Sequence, residues 1–476
     1  MSLRFSIEGF EFFSHKTRTR FPFRYGIASM TEVPHLFVQV RLVMDARSSV
    51  GLASEGLPPK WFTKDPVTTF EQDLPRILEV IGHAARLGAQ IAEQPVSFYE
   101  FWRELYHEQE KWAGARAVPP LLANLGVSLV ERAVLDALCR AHDKPLHTLI
   151  RENLLDLKLG EIYPELGLAE PRELLPSQPL ATVLVRHTVG LADPLTRSEI
   201  PQSDCVDDGL PQDLEACIRT YKLRAFKIKL SANVERDRSR LAGLQRLLSR
   251  EVDGRYIATV DGNENFEDFA AFHEFWREVM QDPSLAEFKA NVAVIEQPVH
   301  RNQALNPASA QVLRGWTNHA PLIIDESDGA LGDLQQALSL GYAGTSHKNC
   351  KGIVKGLANA CVLEYRRRQG KPLVLTAEDL CNLGPLALLQ DLALVALLGI
   401  PHVERNGHHY FRGLSMWPED WQQTVQLAHA DVYTRHEQGF ACLQIDRGQL
   451  NLTSINAAPF GLAPRLDPSA FERVEL

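Results

Sequence analysis

Residues 225–230 read Ala225-Phe226-Lys227-Ile228-Lys229-Leu230, an apolar run that carries two lysines. Successive side chains of a β-strand point to opposite faces, so residues two apart share a face. The run therefore predicts a short strand with Lys227 and Lys229 on the same side, one layer apart.

Similar apolar runs recur through the chain after residue 179, and longer amphipathic segments separate them. The other runs are residues 181–189, 256–260, 292–295, 322–324, 343–346, 373–376 and, more weakly, 399–403. Helical spacing of apolar residues in segments such as 234–248, 334–340, 353–368 and 387–398 predicts helices between the strands. Eight strands joined by helices predict a parallel (β/α)₈ barrel more readily than an open sheet.

The chain before this region has a different pattern. Residues 4–13 and 35–42 alternate as strands do, and residues 69–87 and 124–149 have helical spacing. From residue 432 onward the sequence returns to short, turn-rich pieces. We therefore expect the tail to leave the barrel and to pack back on the first domain.

Ionisable residues end five consecutive predicted strands of the barrel. The active site of such a barrel is built from the carboxyl ends of its strands. One charge after an apolar strand usually marks a solvated loop, but five in order indicate a common site. These strand ends are Lys227-Ile228-Lys229, Asp261-Gly262-Asn263, Glu296-Gln297-Pro298, Asp325-Glu326-Ser327 and His347-Lys348.

Three of these strand ends supply carboxylates, namely Asp261, Glu296 and Asp325. Carboxylates that converge from adjacent strands suit a hard cation such as Mg²⁺, with Mn²⁺ as a possible substitute. No histidine or cysteine cluster accompanies them in the sequence, which disfavours Zn²⁺. A bound Mg²⁺ would neutralise a substrate carboxylate and the charge that forms when its α-proton leaves.

The lysines flank this predicted metal site. Repulsion between Lys227 and Lys229, together with the cation, is expected to lower the pKa of at least one of them towards the range of a general base. Lys348 comes from the sixth strand, across the mouth of the barrel. Two bases could thus face opposite sides of one carbon atom.

The ordered motifs resemble those of the enolase superfamily, and within it the muconate lactonizing enzyme subgroup. A lysine or histidine base working with Mg²⁺ is an established pattern of that superfamily. Further similarity lies in residues 130–137 and 188–190, so the resemblance covers most of the chain. The motifs that carry it are Lys227-x-Lys229, Asp261-x-Asn263, Glu296-Gln297-Pro298, Asp325-Glu326-Ser327 and Lys348-x-x-Lys351-Gly352.

The resemblance implies a modified TIM (β/α)₇₋₈ barrel under an α+β capping domain built from the N-terminal region and the C-terminal tail. We expect the capping domain at residues 1–125, the barrel at 126–430 and the returning segment at 431–476. The implied metal ligands are Asp261, Glu296 and Asp325.

The resemblance also implies the roles of the other site residues. Lys229 and Lys348 would be the opposed acid/base pair, and Lys227 would tune Lys229 and contact the substrate carboxylate. Asn263 and Glu326 would orient the metal ligands and a lysine.

These roles predict an isomerase that racemises or epimerises a small carboxylate-bearing substrate, such as a carboxylic acid or an amino-acid derivative, through an enediolate. The alternatives are a lyase, such as a dehydratase or an o-succinylbenzoate synthase-like enzyme, and a cycloisomerase. An alternative of another class is a barrel that binds an acid without turnover. The eighth strand end, residues 402–406, lacks the Asp-x-Asp pair of dipeptide epimerases, which disfavours a dipeptide substrate.

Two N-terminal segments have the composition of lid loops. Residues 20–26 and 56–62 combine aromatic and basic residues with proline or glycine. We expect Phe23, Arg24, Tyr25 and Trp61 to contact the substrate, with packing onto their own domain as the alternative. Extra length at 93–119, 202–211 and 266–291 is expected to reshape the lid or an oligomer interface.

The composition is that of an ordinary globular enzyme. The 476 residues carry a formal net charge of −10, with 45% hydrophobic and 23% charged residues. The acidic balance disfavours a nucleic-acid partner. No apolar run is long enough to span a membrane, and we expect a cytoplasmic homo-oligomer.

The cysteines and the adjacent histidines suggest no metal site in the sequence. The seven cysteines are scattered and never form a C-x-x-C pair, so neither a disulfide framework nor a zinc site is predicted. We interpret His408-His409 as a loop feature and His347 as a structural residue that points away from Lys348.

Overall fold

A computed structural model describes residues 3–25, 27–317 and 319–476 of the chain. Its first part contains β1 (Arg4–Tyr25), β2 (Ala28–Met44), β3 (Arg47–Gly56), α1 (Phe70–Ile91), β4 (Val96–Ser97), α2 (Phe98–Ala115), α3 (Pro120–His142), α4 (Leu146–Arg151), α5 (Leu159–Ile162) and α6 (Pro171–Leu174).

The middle part alternates strands and helices. It contains β5 (Thr182–Val189), α7 (Leu214–Tyr221), β6 (Ala225–Lys229), α8 (Val234–Glu251), β7 (Ile257–Asp261), α9 (Phe269–Met280), α10 (Ala286–Asn291), β8 (Val292–Glu296), α11 (Arg301–Ala304), α12 (Ala310–Arg314), β9 (Leu322–Ile324), α13 (Asp333–Leu340), β10 (Gly344–His347), α14 (Ile353–Arg367), β11 (Val374–Ala377), α15 (Leu386–Leu398), β12 (His402–Arg405) and α16 (Gly407–Tyr410).

The last part is shorter. It contains α17 (Glu419–Ala428), β13 (Tyr433–Arg435), β14 (Ala441–Leu443), β15 (Gln449–Asn451), α18 (Thr453–Ala457) and β16 (Glu472–Val474). Short 3₁₀ turns lie at Pro164–Leu166, Arg197–Glu199, Gln202–Asp204, Pro283–Leu285, Pro307–Ser309, Asn349–Lys351 and Pro468–Ala470.

The strands β5 to β12 form a closed parallel barrel. Each pairs in parallel with the next along the chain, and β12 pairs with β5 to close the ring. The predicted runs coincide with these eight strands to within three residues at either end. The barrel prediction is confirmed, because each strand is buried on both faces and therefore reads as an apolar run.

The capping domain is an antiparallel sheet covered by helices. Its strand order is β16-β1-β2-β3, with β4 paired to β1. Helix α3 packs so closely on β3 that a Cβ atom on Gly51 would clash with the backbone of Ala133. The predicted cap is therefore present.

The C-terminal segment contacts both domains. Strand β16 joins the cap by pairing with β1, while β15 pairs antiparallel with β5 of the barrel. The expected boundary at residue 125 lies inside α3, which continues from Pro120 to His142.

The structure changes the interpretation of three segments. Residues 20–25 are the end of β1 rather than a loop, and residues 23–25 pair with β2 after a register shift; Gly26 lies outside the described residues. The extra length at 93–119 contains α2 of the cap. Residues 266–291 contain α9 and α10, which form the connection between β7 and β8 that any parallel barrel needs.

Within the described residues, no helix is both long enough and apolar enough to cross a bilayer.

Candidate active site

The ends of β6, β7 and β8 bring lysine and carboxylate side chains into one layer. Lys229 is the direct neighbour of Asp261 across the β6–β7 pair, and Asp261 is the direct neighbour of Glu296 across β7–β8. Asp261 and Glu296 are at most 2% exposed. Neighbouring parallel strands end at the same edge of the sheet, so these motifs form one cluster although they are far apart in sequence.

The strand ends are fixed by close packing and by an amide. A Cβ atom on Gly262 would clash with the backbone of Pro298, so the glycine lets the ends of β7 and β8 approach. The Gln297 side chain accepts a 2.8 Å hydrogen bond from the backbone N–H of Asp325 and donates to Ser327 Oγ at 2.8 Å. Residues that flank the ligands in sequence therefore hold the ends of β8 and β9 together.

Lys227 lies at the centre of the carboxylate cluster. Its Nζ donates to Glu378 Oε2 at 2.6 Å, to Glu296 Oε1 at 2.9 Å and to Glu404 Oε2 at 3.0 Å, and Asp261 Oδ2 lies 3.1 Å away. The lysine is 1% exposed. It is the counter-cation of carboxylates from four different strands.

The pKa of Lys227 is shifted in the direction opposite to the sequence-based expectation. Burial lowers this pKa, but the facing carboxylates, Asp261 and Glu296 foremost, outweigh burial and raise it well above its usual value. The pKa of Lys229 is raised for the same reason, with burial and then Asp261 as the largest influences. Without a cation, repulsion between the lysines is thus weaker than the attraction of the carboxylates, and the lowered lysine pKa stays a prediction for the metal-bound protein.

Lys229 and Lys348 lie on opposite sides of the barrel mouth. Lys229 ends β6 and Lys348 directly follows β10, four strands further round a ring of eight. Lys229 Nζ donates to Asp261 Oδ2 at 2.5 Å. Lys348 Nζ donates to Asp325 Oδ2 and Glu378 Oε2, both at 2.6 Å.

Two acidic residues of this cluster, Glu378 and Glu404, were not predicted from the sequence. Glu378 follows β11 and Glu404 lies in β12, the seventh and eighth strands. Both are less than 5% exposed. Both occupy strand ends, the same position that identifies the other five motifs.

The carboxylates fit a hard divalent cation. Oxygen atoms of Glu296, Asp325 and Glu378 all lie within 4.8 Å of one another, and all three residues are buried. Asp261, expected as the third ligand, is instead paired with Lys229 and Lys227. Glu296 and Asp325 are thus common to both possible ligand sets, and the third carboxylate is either Asp261 or Glu378.

Asn263 and Glu326 lie beside the metal-ligand candidates. The backbone N–H of Asn263 donates to Asp261 Oδ1 at 2.7 Å. Burial, followed by the charge of Asp325, raises the pKa of Glu326 to about 8. Its Oε2 has no hydrogen-bond partner among the described residues, so Glu326 is a buried carboxyl beside other acidic side chains.

The cap closes the site as a lid. A cavity of about 50 Å³ lies between the cap and the barrel. Its wall from the cap contains Phe23, Tyr25 and Trp61, and the Trp61 ring lies 5.2 Å from Lys348 Nζ. Arg24 is on the opposite face of β1 and lines a different cleft, because side chains alternate along a strand.

A buried charge network fastens the lid to the barrel. Glu264, which follows β7, pairs with Lys64 of the cap at 3.0 Å and with Arg301 of the barrel at 2.9 Å. Arg301 also donates to the backbone carbonyl of Trp61 at 3.0 Å. The segment that carries Trp61 is therefore held at the barrel mouth by ion pairs.

A second cluster of possible metal ligands lies away from these carboxylates. His187 of β5, Cys217 of α7 and His409 of α16 are buried, and their ligand atoms lie within 4.8 Å of one another. The interpretation of His408-His409 as a loop feature is wrong, because both are buried on α16. His347 is buried and bonded to Asn349 at 3.1 Å, away from the lysine.

The fold is that of the enolase superfamily. It consists of a closed eight-stranded parallel barrel under an antiparallel cap. Comparisons with solved structures agree with this fold.

Solved structures with this fold cover nearly the whole chain. An enolase from Bradyrhizobium complexed with magnesium and mandelic acid is 14% identical over 100% of both chains, with a TM-score of 0.58. A dipeptide epimerase from Enterococcus faecalis, complexed with Mg and L-Leu-L-Tyr, is 15% identical over 96% of this chain and 99% of its own, with a TM-score of 0.59.

A muconate lactonizing enzyme from Pseudomonas fluorescens, complexed with muconolactone, is 16% identical over 98% of this chain and 99% of its own, with a TM-score of 0.58. No protein-family model and no curated protein matches the sequence. At these identities the likeness establishes the fold.

Proposed function

We propose that the chain is an enzyme of the enolase superfamily that removes the proton α to a substrate carboxylate with the help of Mg²⁺, and that its overall reaction is racemisation or epimerisation. The observation that carries this proposal is the position of Lys229 and Lys348 on opposite strands, with a carboxylate cluster between them.

The two lysines would work as a pair. The neutral amine of one accepts the α-proton, which leaves an enediolate, and the ammonium of the other donates a proton to the opposite face of the same carbon. The carbon is then inverted, and the two lysines have exchanged protonation states. Lys227, which is paired with several carboxylates, stays charged and contacts the substrate carboxylate.

The ligands of the metal would be Glu296 and Asp325 together with Asp261 or Glu378. When bound, Mg²⁺ supplies positive charge next to the substrate carboxylate, which makes the α-proton more acidic. Asp261 Oδ2 is now hydrogen-bonded to Lys229. Use of that oxygen as a ligand would weaken this ion pair, so metal binding and release of the base are coupled.

The lining of the cavity supports an apolar group on the substrate. Phe23, Tyr25, Met30, Trp61 and Leu380 form the apolar part of the lining. Glu404, at the end of the eighth strand, is already bonded to Lys227 and Thr188, so it offers no free carboxylate for an ammonium group. We therefore propose a 2-hydroxy acid or an N-acylated amino acid with an apolar or aromatic side chain.

Exchange of the α-proton in deuterated buffer tests the proposal. Single enantiomers of aromatic 2-hydroxy acids and of N-acyl amino acids are incubated with the protein and Mg²⁺, with chelator and Asp325→Asn as controls. Deuterium at the α-carbon with inversion is the expected result. Loss of water without inversion would replace the isomerase by a lyase, and binding without exchange of any acid would reject the enzymatic proposal.

A further inference from the structure

The cluster of His187, Cys217 and His409 lies at the seam where the barrel closes. His187 is on β5 and is the direct neighbour of Arg405 on β12, in the strand pair that completes the ring. Cys217 comes from α7, the helix that follows β5. The three residues therefore join elements from both sides of the seam.

The distances suit a tetrahedral ion. The Cys217 Sγ and His409 Nδ1 atoms are 3.5 Å apart. Zinc–sulfur bonds of about 2.3 Å and zinc–nitrogen bonds of about 2.0 Å at a tetrahedral angle require a separation of about 3.5 Å. All three ligand atoms lie within 4.8 Å of one another.

The two imidazoles present ring nitrogens to the cluster. Among the described residues no carboxylate is bonded to either ring. His187 Nδ1 contacts His408 Nε2 at 3.0 Å, which orients the His187 ring and leaves its Nε2 for a ligand.

We propose that His187, Cys217 and His409 bind a zinc-type ion, which prefers nitrogen and sulfur donors, at a site separate from the carboxylate cluster. On binding, the Cys217 thiol releases its proton to solvent and the thiolate becomes a ligand, so one proton leaves for each ion bound. Three protein groups leave the fourth position to water. The site does not depend on the proposed racemase activity.

A bound ion would stabilise the contact between the cap and the barrel as well as the closure of the barrel. Arg20 of β1 donates to the backbone carbonyl of His409 at 2.6 Å, and the Phe21 ring packs on the His409 ring at 4.9 Å. Arg20 is itself paired with Asp208 at 2.5 Å. Arg20 and Phe21 also line an open cleft of about 700 Å³.

Cobalt titration of the full-length, chelator-treated protein tests the proposal, with excess Mg²⁺ present to occupy the carboxylate site. We expect one Co²⁺ per chain, a thiolate-to-cobalt charge-transfer band and the visible bands of a tetrahedral ion, all lost when Zn²⁺ is added. Cys217→Ser should remove the charge-transfer band. Cys205→Ser, which alters a half-buried thiol in the cleft wall, should retain it.

Two further variants distinguish this site from the carboxylate site. His409→Gln should weaken cobalt binding at least tenfold, and Asp325→Asn should leave the charge-transfer band unchanged. Absence of the band in the wild-type protein would overturn the proposal whether or not any variant folds. A band that survives in Cys217→Ser, or one that disappears in Asp325→Asn, would also overturn it.

Discussion

Replacement of Glu378 by glutamine should destabilise the metal-free protein more than any single change at the surface. Glu378 accepts from Lys227 and Lys348 at 2.6 Å each and from Arg186 at 3.1 Å. Burial raises the pKa of Glu378, but Lys227 and Lys348 outweigh burial and hold it well below its usual value. The carboxylate is thus charged and shared by three buried cations.

The loss of stability comes from the buried cations, which the substitution leaves with fewer counter-ions. Removal of one partner from a buried ion pair typically costs about 3 to 5 kcal/mol, and here Arg186 loses the carboxylate with which it is paired while Lys227 and Lys348 keep others. We expect Glu378→Gln to lower the free energy of unfolding by an amount in this range. Glu32→Gln, which breaks the exposed pair with Arg18, should cost less than about 1 kcal/mol.

Glu296 provides a sharper control inside the same cluster. Burial and the charge of Glu378 raise the pKa of Glu296 well above its usual value, so without metal Glu296 favours its neutral form, which glutamine resembles. Guanidinium unfolding at pH 7 with chelator measures all three variants. If Glu378→Gln lowers the free energy of unfolding no more than Glu32→Gln does, Glu378 is not a shared counter-ion of buried cations. The same conclusion follows if Glu296→Gln lowers it as much as Glu378→Gln.

Three further predictions concern the metal, the lid and acid stability. Mg²⁺ at about 100 times its dissociation constant should stabilise the wild type by about 2.7 kcal/mol, and thermal unfolding should show no such gain for Asp325→Asn. Glu264→Gln removes the carboxylate that pairs with Lys64 and Arg301 under the lid. KM should therefore rise roughly tenfold with kcat little changed, and hydrogen exchange at residues 57–64 should increase. Equal exchange in wild type and variant would contradict the role of Glu264 in holding the lid. Burial lowers the pKa of His429 to about 4. The neutral ring therefore makes its full contribution to the free energy of unfolding above about pH 6.5, and this contribution falls by about 3 kcal/mol as the pH drops towards 4. The stability difference between wild type and His429→Asn should shrink over that window in urea titrations, and a constant difference would contradict it.

The sequence predicted the barrel, and it indicated most residues of the candidate site, because both depend on local patterns. Each barrel strand is a short apolar run, and each motif lies directly at a strand end, as Asp261 and Glu296 show. Closure of the ring then decides which residues meet. Opposition of Lys229 and Lys348 follows from strand order alone.

Contacts that join distant segments could not be predicted in the same way. Cys217 and His409 are 192 residues apart, and no spacing rule connects them. The pairing of Lys227 with Glu378 and Glu404 reverses the expected pKa shift, since it depends on the distances among several charges rather than on one neighbour. Arg24 points away from the site because the segment continues as a strand instead of a loop.

The central claim is that two lysines act on opposite faces of one carbon atom. The direct measurement is α-deuterium incorporation into each separate enantiomer of an accepted substrate by Lys229→Ala and by Lys348→Ala, with Mg²⁺ present. Each variant should exchange one enantiomer without inversion and fail on the other, and the two variants should show opposite preferences. Loss of exchange for the same enantiomer in both variants, or full activity in either, would contradict the two-base site.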